Sequence, residues 1–197
     1  MQKKLSNEFI ARFDAALDKH MESSFPIDDS AMGAGSQNWR HRCHQSAKIA
    51  ARAISMLLGD DVAKLVRVHV RAQMEDGERF VDLGNPSDPP SATRRYSMHW
   101  AVRIGSSLYD PTALWQLRRA KTPLDLPHEP YFFAQDFFKI SVPSPDGGFA
   151  VAFHGPRAKL FLDYKIISEQ LPDDIVAMSM PDGPARNHAR KVVKLFA

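Results

Sequence analysis

Three residues in this chain have the side-chain chemistry of a nucleophile, a base and an orienting acid: Cys43, His99 and Asp110. Cys43 is the only cysteine. It opens the stretch CHQSAKIAARAISMLLG, in which Cys43, Ala47, Ala50, Ile54 and Leu57 recur at helical spacing. The cysteine thus heads the apolar stripe at a helix N-terminus. Open backbone N–H groups and the helix dipole there favour an anion, so a thiolate is stabilised and available to attack. Without a base beside it, a lone cysteine on an apolar face is a small buried hydrophobe.

The base and acid stand together in MHWAVRIGSSLYDPT, residues 98 to 112. Alternation puts His99 and Ala101 on one strand face and Trp100, Val102 and Ile104 on the other. A two-residue turn at Gly105-Ser106, with glycine first as a type II′ turn prefers, sets Ile104 against Ser107 and Ala101 against Asp110. His99 is then the diagonal, same-face neighbour of Asp110, within reach of a side-chain hydrogen bond. A four-residue loop keeps that parity and a three-residue loop breaks it. An aspartate so placed fixes the imidazole tautomer and leaves the other ring nitrogen for the thiol. Pro111 stiffens the exit after the carboxylate.

A cysteine opening a helix, an Ala-rich helix ending in Leu-Gly, a strand, then His-Trp-x-Val and Tyr-Asp-Pro-Thr resembles the transglutaminase-like branch of the papain-like cysteine enzymes. The resemblance spans residues 37 to about 115. It implies Cys43 as nucleophile, His99 as general base and acid, and Asp110 as orienter. It also implies an oxyanion-binding amide ahead of the nucleophile: Gln37 is the candidate, with Asn38 and Trp39 competing for oxyanion or substrate contacts. The tripeptide Arg40-His41-Arg42 departs from the small residues usual before the cysteine, and His99 and Asp110 are closer in sequence than is usual.

Other polar residues suggest less. His41, Cys43 and His44 cannot easily aim at one ion from a helix start, and no second ligand pair has recognised spacing, so no metal is expected. His69 falls on the polar face of a strand, and His154 precedes a Gly-Pro turn. Trp100 and Trp115 read as core or cleft-wall aromatics. There is no phosphate-binding glycine loop, no dinucleotide fingerprint and no basic-aromatic interleave, so neither a nucleotide cofactor nor a nucleic-acid partner is expected.

The elements that must position these residues follow from pattern. Phe9, Ile10, Phe13, Ala16 and Leu17 give a helix over residues 5 to 22 with Ser6 as N-cap, and a loop follows to residue 37. Gly59 closes the cysteine helix. Residues 62 to 73 alternate Val66, Val68 and Val70 against Arg67, His69 and Arg71, a half-buried strand. After a proline-rich connection and the hairpin, further strands lie in FFKISVPSPDGGFAVAF and AKLFLDYKII, with PSPDGG as a turn. The basic cluster ARNHARKVVK reads as the solvated face of a terminal helix.

Helices followed by mostly antiparallel strands make an α+β class, N-terminal helices packed on a sheet, and the resemblance specifies a papain-like, transglutaminase-like fold. The 197 residues, 44% hydrophobic, form one domain without an internal linker. One cysteine excludes an internal disulfide. The charged N-terminal stretch and the absence of a membrane-length apolar run point to a cytoplasmic protein without membrane association.

The combined expectation is a thiol enzyme without a cofactor, cleaving or transferring an amide or acyl group of a protein or peptide through a thioester. Peptidase, amidase and deamidase chemistry are the hydrolytic forms. The alternative is a transglutaminase-like domain that has lost catalysis and binds protein partners. The oligomeric state is not encoded in any motif.

Overall fold

The computed structural model describes residues 6–25, 43–59, 62–74, 77–78, 80–84, 99–112, 140–143, 149–154, 159–169 and 180–197. Helix α1 spans Asn7–Ser24, and the Ser6 hydroxyl caps it by accepting from the Phe9 N–H at 3.1 Å. Its buried stripe is Ile10, Phe13, Leu17 and Met21. Helix α2 spans Cys43–Leu58 and is closed at Gly59, whose N–H donates to the Ser55 carbonyl. Helix α3 spans Asp182–Phe196 and buries Ala185, Ala189 and Val192, leaving its basic side chains outward. Asp182 at the start of α3 pairs with Lys48 and Arg52 of α2, both at 3.0 Å. Packing of α3 on α2 explains why α2 buries Ser46, Ile49, Ala51 and Ala53 as well as the expected Cys43, Ala47, Ala50 and Ile54.

The described residues form seven strands, β1 Ala63–Met74, β2 Phe80–Leu83, β3 His99–Ile104, β4 Ser107–Tyr109, β5 Ile140–Pro143, β6 Phe149–His154 and β7 Lys159–Ser168. Their order is β2-β1-β3-β4-β5-β6-β7, every pairing is antiparallel, and β7 returns to pair with β1. Six strands therefore close into a ring. The 12-residue β1 makes closure possible: Ala63–Val68 pairs with β3, Val70–Gln73 with β2, and Arg67–Met74 with β7 on its other edge. A register shift between Arg67 and Val68 bends β1 where these pairings change over.

The fold has two apolar layers. Val66, Val68, Val70, Ala72, Ala101, Leu108, Leu160 and Leu162 are buried on the inner face of the ring. On the outer face, Trp100, Val102, Ile104 and Tyr109 form one cluster with α1, α2 and α3, the Tyr109 ring meeting Phe13 edge-on at 5.7 Å. Each fully buried aliphatic side chain stabilises the fold by roughly 1.5–3 kcal/mol. The expected α+β class, with helices against an antiparallel sheet, is the class observed. The described helices are not long and apolar enough to cross a membrane.

Candidate active site

The site grows from the β3–β4 hairpin. Its turn is the two residues Gly105 and Ser106, and Gly105 has φ 56°, a left-handed conformation that glycine adopts without strain. The register sets Ile104 against Ser107 and Val102 against Tyr109. One step further places Asp110 across from Ala101, on the same face as His99. The two side chains meet: His99 Nε2 donates to Asp110 Oδ2 at 2.6 Å, and neither residue is more than 4% exposed.

Two further donors hold the carboxylate. The Thr112 N–H donates to Asp110 Oδ1 at 2.9 Å, a turn in which the aspartate bonds its own backbone two residues on. From β7, the buried Tyr164 hydroxyl also donates to Asp110. On the other side of the imidazole, the Cys43 thiol at the start of α2 is hydrogen-bonded with His99. With Nε2 committed to Asp110, Nδ1 is the ring nitrogen left to meet the sulfur.

Burial opposes the His99 imidazolium, but the Asp110 carboxylate outweighs it through charge and hydrogen bond, and Cys43 adds to the same effect. The result is a His99 pKa raised from 6.5 to about 10. Burial and the Asp110 carboxylate push the Tyr164 phenol well above its ordinary value, so it remains a donor. A buried histidine that keeps its proton, between a carboxylate and a sulfur, can stabilise a thiolate and deliver a proton to a leaving group.

Gly84, just past β2 with φ 70°, lies close against the first residue of β3, His99. A Cβ there would collide with the Val68 carbonyl oxygen and lie 3.0 Å from both the backbone N and Cβ of His99. The absence of a side chain is what lets β3 begin where it does.

No family model matches the chain, and no curated protein or solved structure matches it. The site therefore stands on its geometry alone. Cys43, His99 and Asp110, read from the sequence as one constellation, are brought together. Gln37, Asn38 and Trp39 lie outside the described residues, as do Arg40, His41, Arg42 and Trp115. Among the described residues, no group of three or more histidine, cysteine or acidic side chains is arranged to hold a metal ion.

Several readings change. Tyr164 and Gly84 carried no signal pointing to this site. Tyr164 is buried with Leu160 and Leu162 in the β7 alternation, but its meeting with Asp110, just past β4, depends on ring closure. His69, read as lying on a polar face, is half-buried with its Nε2 at 3.2 Å from Asp82 Oδ1, a carboxylate that also takes Arg71 at 3.0 Å. Arg67, read on the same polar face, is buried, because that stretch of β1 lies under cover opposite Trp100. Trp100 is a core aromatic, 2% exposed, and His154 ends β6 opposite Lys159.

Proposed function

We propose that this protein is a thiol enzyme of the transglutaminase-like, papain-like type, cleaving an amide of a protein or peptide through a Cys43 thioester. The observation that carries the reading is the buried chain from Asp110 through His99 to Cys43. Cys43 opens a helix, so its sulfur also benefits from the dipole and open N–H groups of the first turn.

In the proposed reaction the Cys43 thiolate attacks the carbonyl carbon and the π electrons move to oxygen. As the tetrahedral species collapses, the C–N bond breaks and the imidazolium of His99 gives its Nδ1 proton to the departing amine. Water then attacks the thioester, and His99 takes a proton from it. Collapse expels the Cys43 thiolate beside the His99 imidazolium, which restores the starting pair, and a carboxylic acid leaves. Asp110 stays ionised throughout and keeps the ring turned toward the sulfur. Gln37 is the proposed oxyanion donor, together with the Cys43 backbone N–H. Hydrolysis is preferred to amine transfer because no sequence feature marks an acceptor site.

The first test uses the lone cysteine as reporter: the rate of Cys43 alkylation by iodoacetamide against pH, in the native protein and in His99→Ala. A free thiol ionises near about 8.5. Reactivity that persists well below that pH, and is lost in His99→Ala, is the expected result. A thiol that stays inert when folded, or two identical profiles, overturns the reading.

A further inference from the structure

On β1, opposite the residue that follows His99 on β3, stands a group that the proposed reaction does not use. Arg67 is 7% exposed, and its Nε and Nη2 are buried without a hydrogen-bond partner. Arginine cannot shed its proton in a protein, so burial leaves a cation with open donors. Buried charged donors of this kind are strongly unfavourable unless an anion meets them. Among the described residues none does. The ion pairs of the neighbourhood go elsewhere, Arg71 to Asp82 and Arg103 to Glu169.

A second open group lies close by. His44 follows Cys43 on α2, and its Nε2 is also buried without a partner. Its ring meets the Trp100 ring edge-on, with centroids 5.1 Å apart. Trp100 follows His99 on β3 and is directly opposite Arg67 in the β1–β3 register, as His99 is opposite Val68. Arg67, His44 and Trp100 are thus each one position along their elements from Val68, Cys43 and His99. The open Nε2 of His44 and the open donors of Arg67 thus bracket one indole, on the sheet face opposite to the His99 side chain and at the start of the helix that Cys43 opens. Burial, and then Lys48, lower the His44 pKa to about 4, so the ring is neutral at pH 7 and can offer Nε2–H as a donor.

We propose that Arg67, assisted by His44, binds an anionic group, a carboxylate or a phosphate, on the molecule that Cys43 attacks. The planar guanidinium fork matches either anion. Anion binding at Arg67 does not depend on the thiol chemistry. Only the assignment of the ligand as the substrate rests on the function proposed above.

The test is thermal unfolding of the full chain in rising glutarate or phenyl phosphate, at ionic strength matched with chloride, for the wild type, Arg67→Met and Arg67→Lys. In the wild type the midpoint should rise saturably with at least one anion, by several degrees at about 100-fold over Kd. The preferred anion tells a carboxylate site from a phosphate site. Arg67→Lys, which keeps the charge but not the fork, should need about tenfold or more of the anion. Arg67→Met should not respond, while its midpoint without anion holds or rises, because a buried unpaired charge has been removed.

A wild type that responds to neither anion, or an Arg67→Met that responds as the wild type does, overturns the site. So does a wild type without response whose Arg67→Met variant is strongly destabilised, since a carboxylate of this chain would then already hold Arg67. If Arg67→Met does not fold, the wild-type and Arg67→Lys arms still decide. Iodoacetamide profiles of Cys43 in the same samples separate the two proposals. Anion binding with an ordinary thiol sinks the enzyme and keeps the site, whereas an activated thiol without anion binding does the reverse.

Discussion

At the scale of single residues, Asp110 is where structure and proposed chemistry meet. Its carboxylate raises the His99 pKa to about 10, above the 6.5 of an unfolded chain. A raised pKa adds stability that is fully present below 6.5 and is lost as pH rises through about 10. The wild-type thermal midpoint should therefore fall across that window, and Asp110→Asn should flatten the fall. Parallel slopes in the two proteins would mean that the pair adds nothing. Once a substrate is in hand, the same variant should lose turnover by a factor on the order of 10³–10⁴, as triads do when the tautomer is no longer held.

Gly84→Ala tests the close approach that seats His99 at the start of β3: its Cβ runs into Val68 and His99, and its φ is left-handed. It should cost about 1–3 kcal/mol or more. Low-pH alkylation of Cys43 should weaken with it, and a Gly84→Ala protein of native stability and thiol reactivity would refute that role. The His99–Asp110 pair was legible in the sequence because strand alternation and turn length are local. Gly84 was not, because its constraint comes from Val68 on β1 and His99 on β3, both distant from it in sequence.

At the scale of elements, most of the scaffold could be read from periodicity and capping. Ser6 caps α1, Gly59 ends α2 and Gly105-Ser106 turns the hairpin as expected. What could not be read is how helices meet, since that depends on the reverse faces of amphipathic segments far apart in sequence. The clearest case is His20 of α1, 3% exposed, whose Nε2 is 2.9 Å from Nδ1 of His188 on α3. Ser24 lies 3.3 Å from the other His20 nitrogen, and the Phe25 ring lies against His188.

Burial, then His188, then Lys191 lower the His20 pKa to about 4, and burial with Lys191 lowers that of His188. Between pH 6.5 and about 4 the unfolded chain binds protons that the native protein refuses, so stability declines as pH falls through that range. His20→Gln keeps hydrogen-bonding capacity without titrating. Its urea midpoint should change less between pH 7 and pH 5 than that of the wild type. An equal change in both proteins would show that the α1–α3 contact does not sense acid.

At the scale of the whole molecule, ring closure is the feature that turns separate local signals into one site. β1 has both edges covered, and β7 reaches it only after β5 and β6 have carried the chain around. The sequence shows each strand but not this order, because pairings between distant strands depend on the summed burial of the ring interior. Closure also puts stability and chemistry on one strand, which allows them to be separated. Leu162 and Tyr164 share the inner face of β7, the first opposite Ala72 and the second opposite Val70 and hydrogen-bonded to Asp110.

Leu162→Ala leaves a cavity among aliphatic side chains. It should cost about 2–5 kcal/mol in urea unfolding, with the pH profile of Cys43 alkylation unchanged well below the midpoint. Tyr164→Phe keeps the ring and removes one donor from Asp110. The carboxylate then pulls harder on the His99 proton, so the imidazolium persists to higher pH. The upper limb of the alkylation profile should move up by about half a pH unit, with a stability change of only about 1 kcal/mol. If Leu162→Ala moved the profile and Tyr164→Phe did not, the carboxylate would be held by the packing of the ring rather than by the Tyr164 hydroxyl.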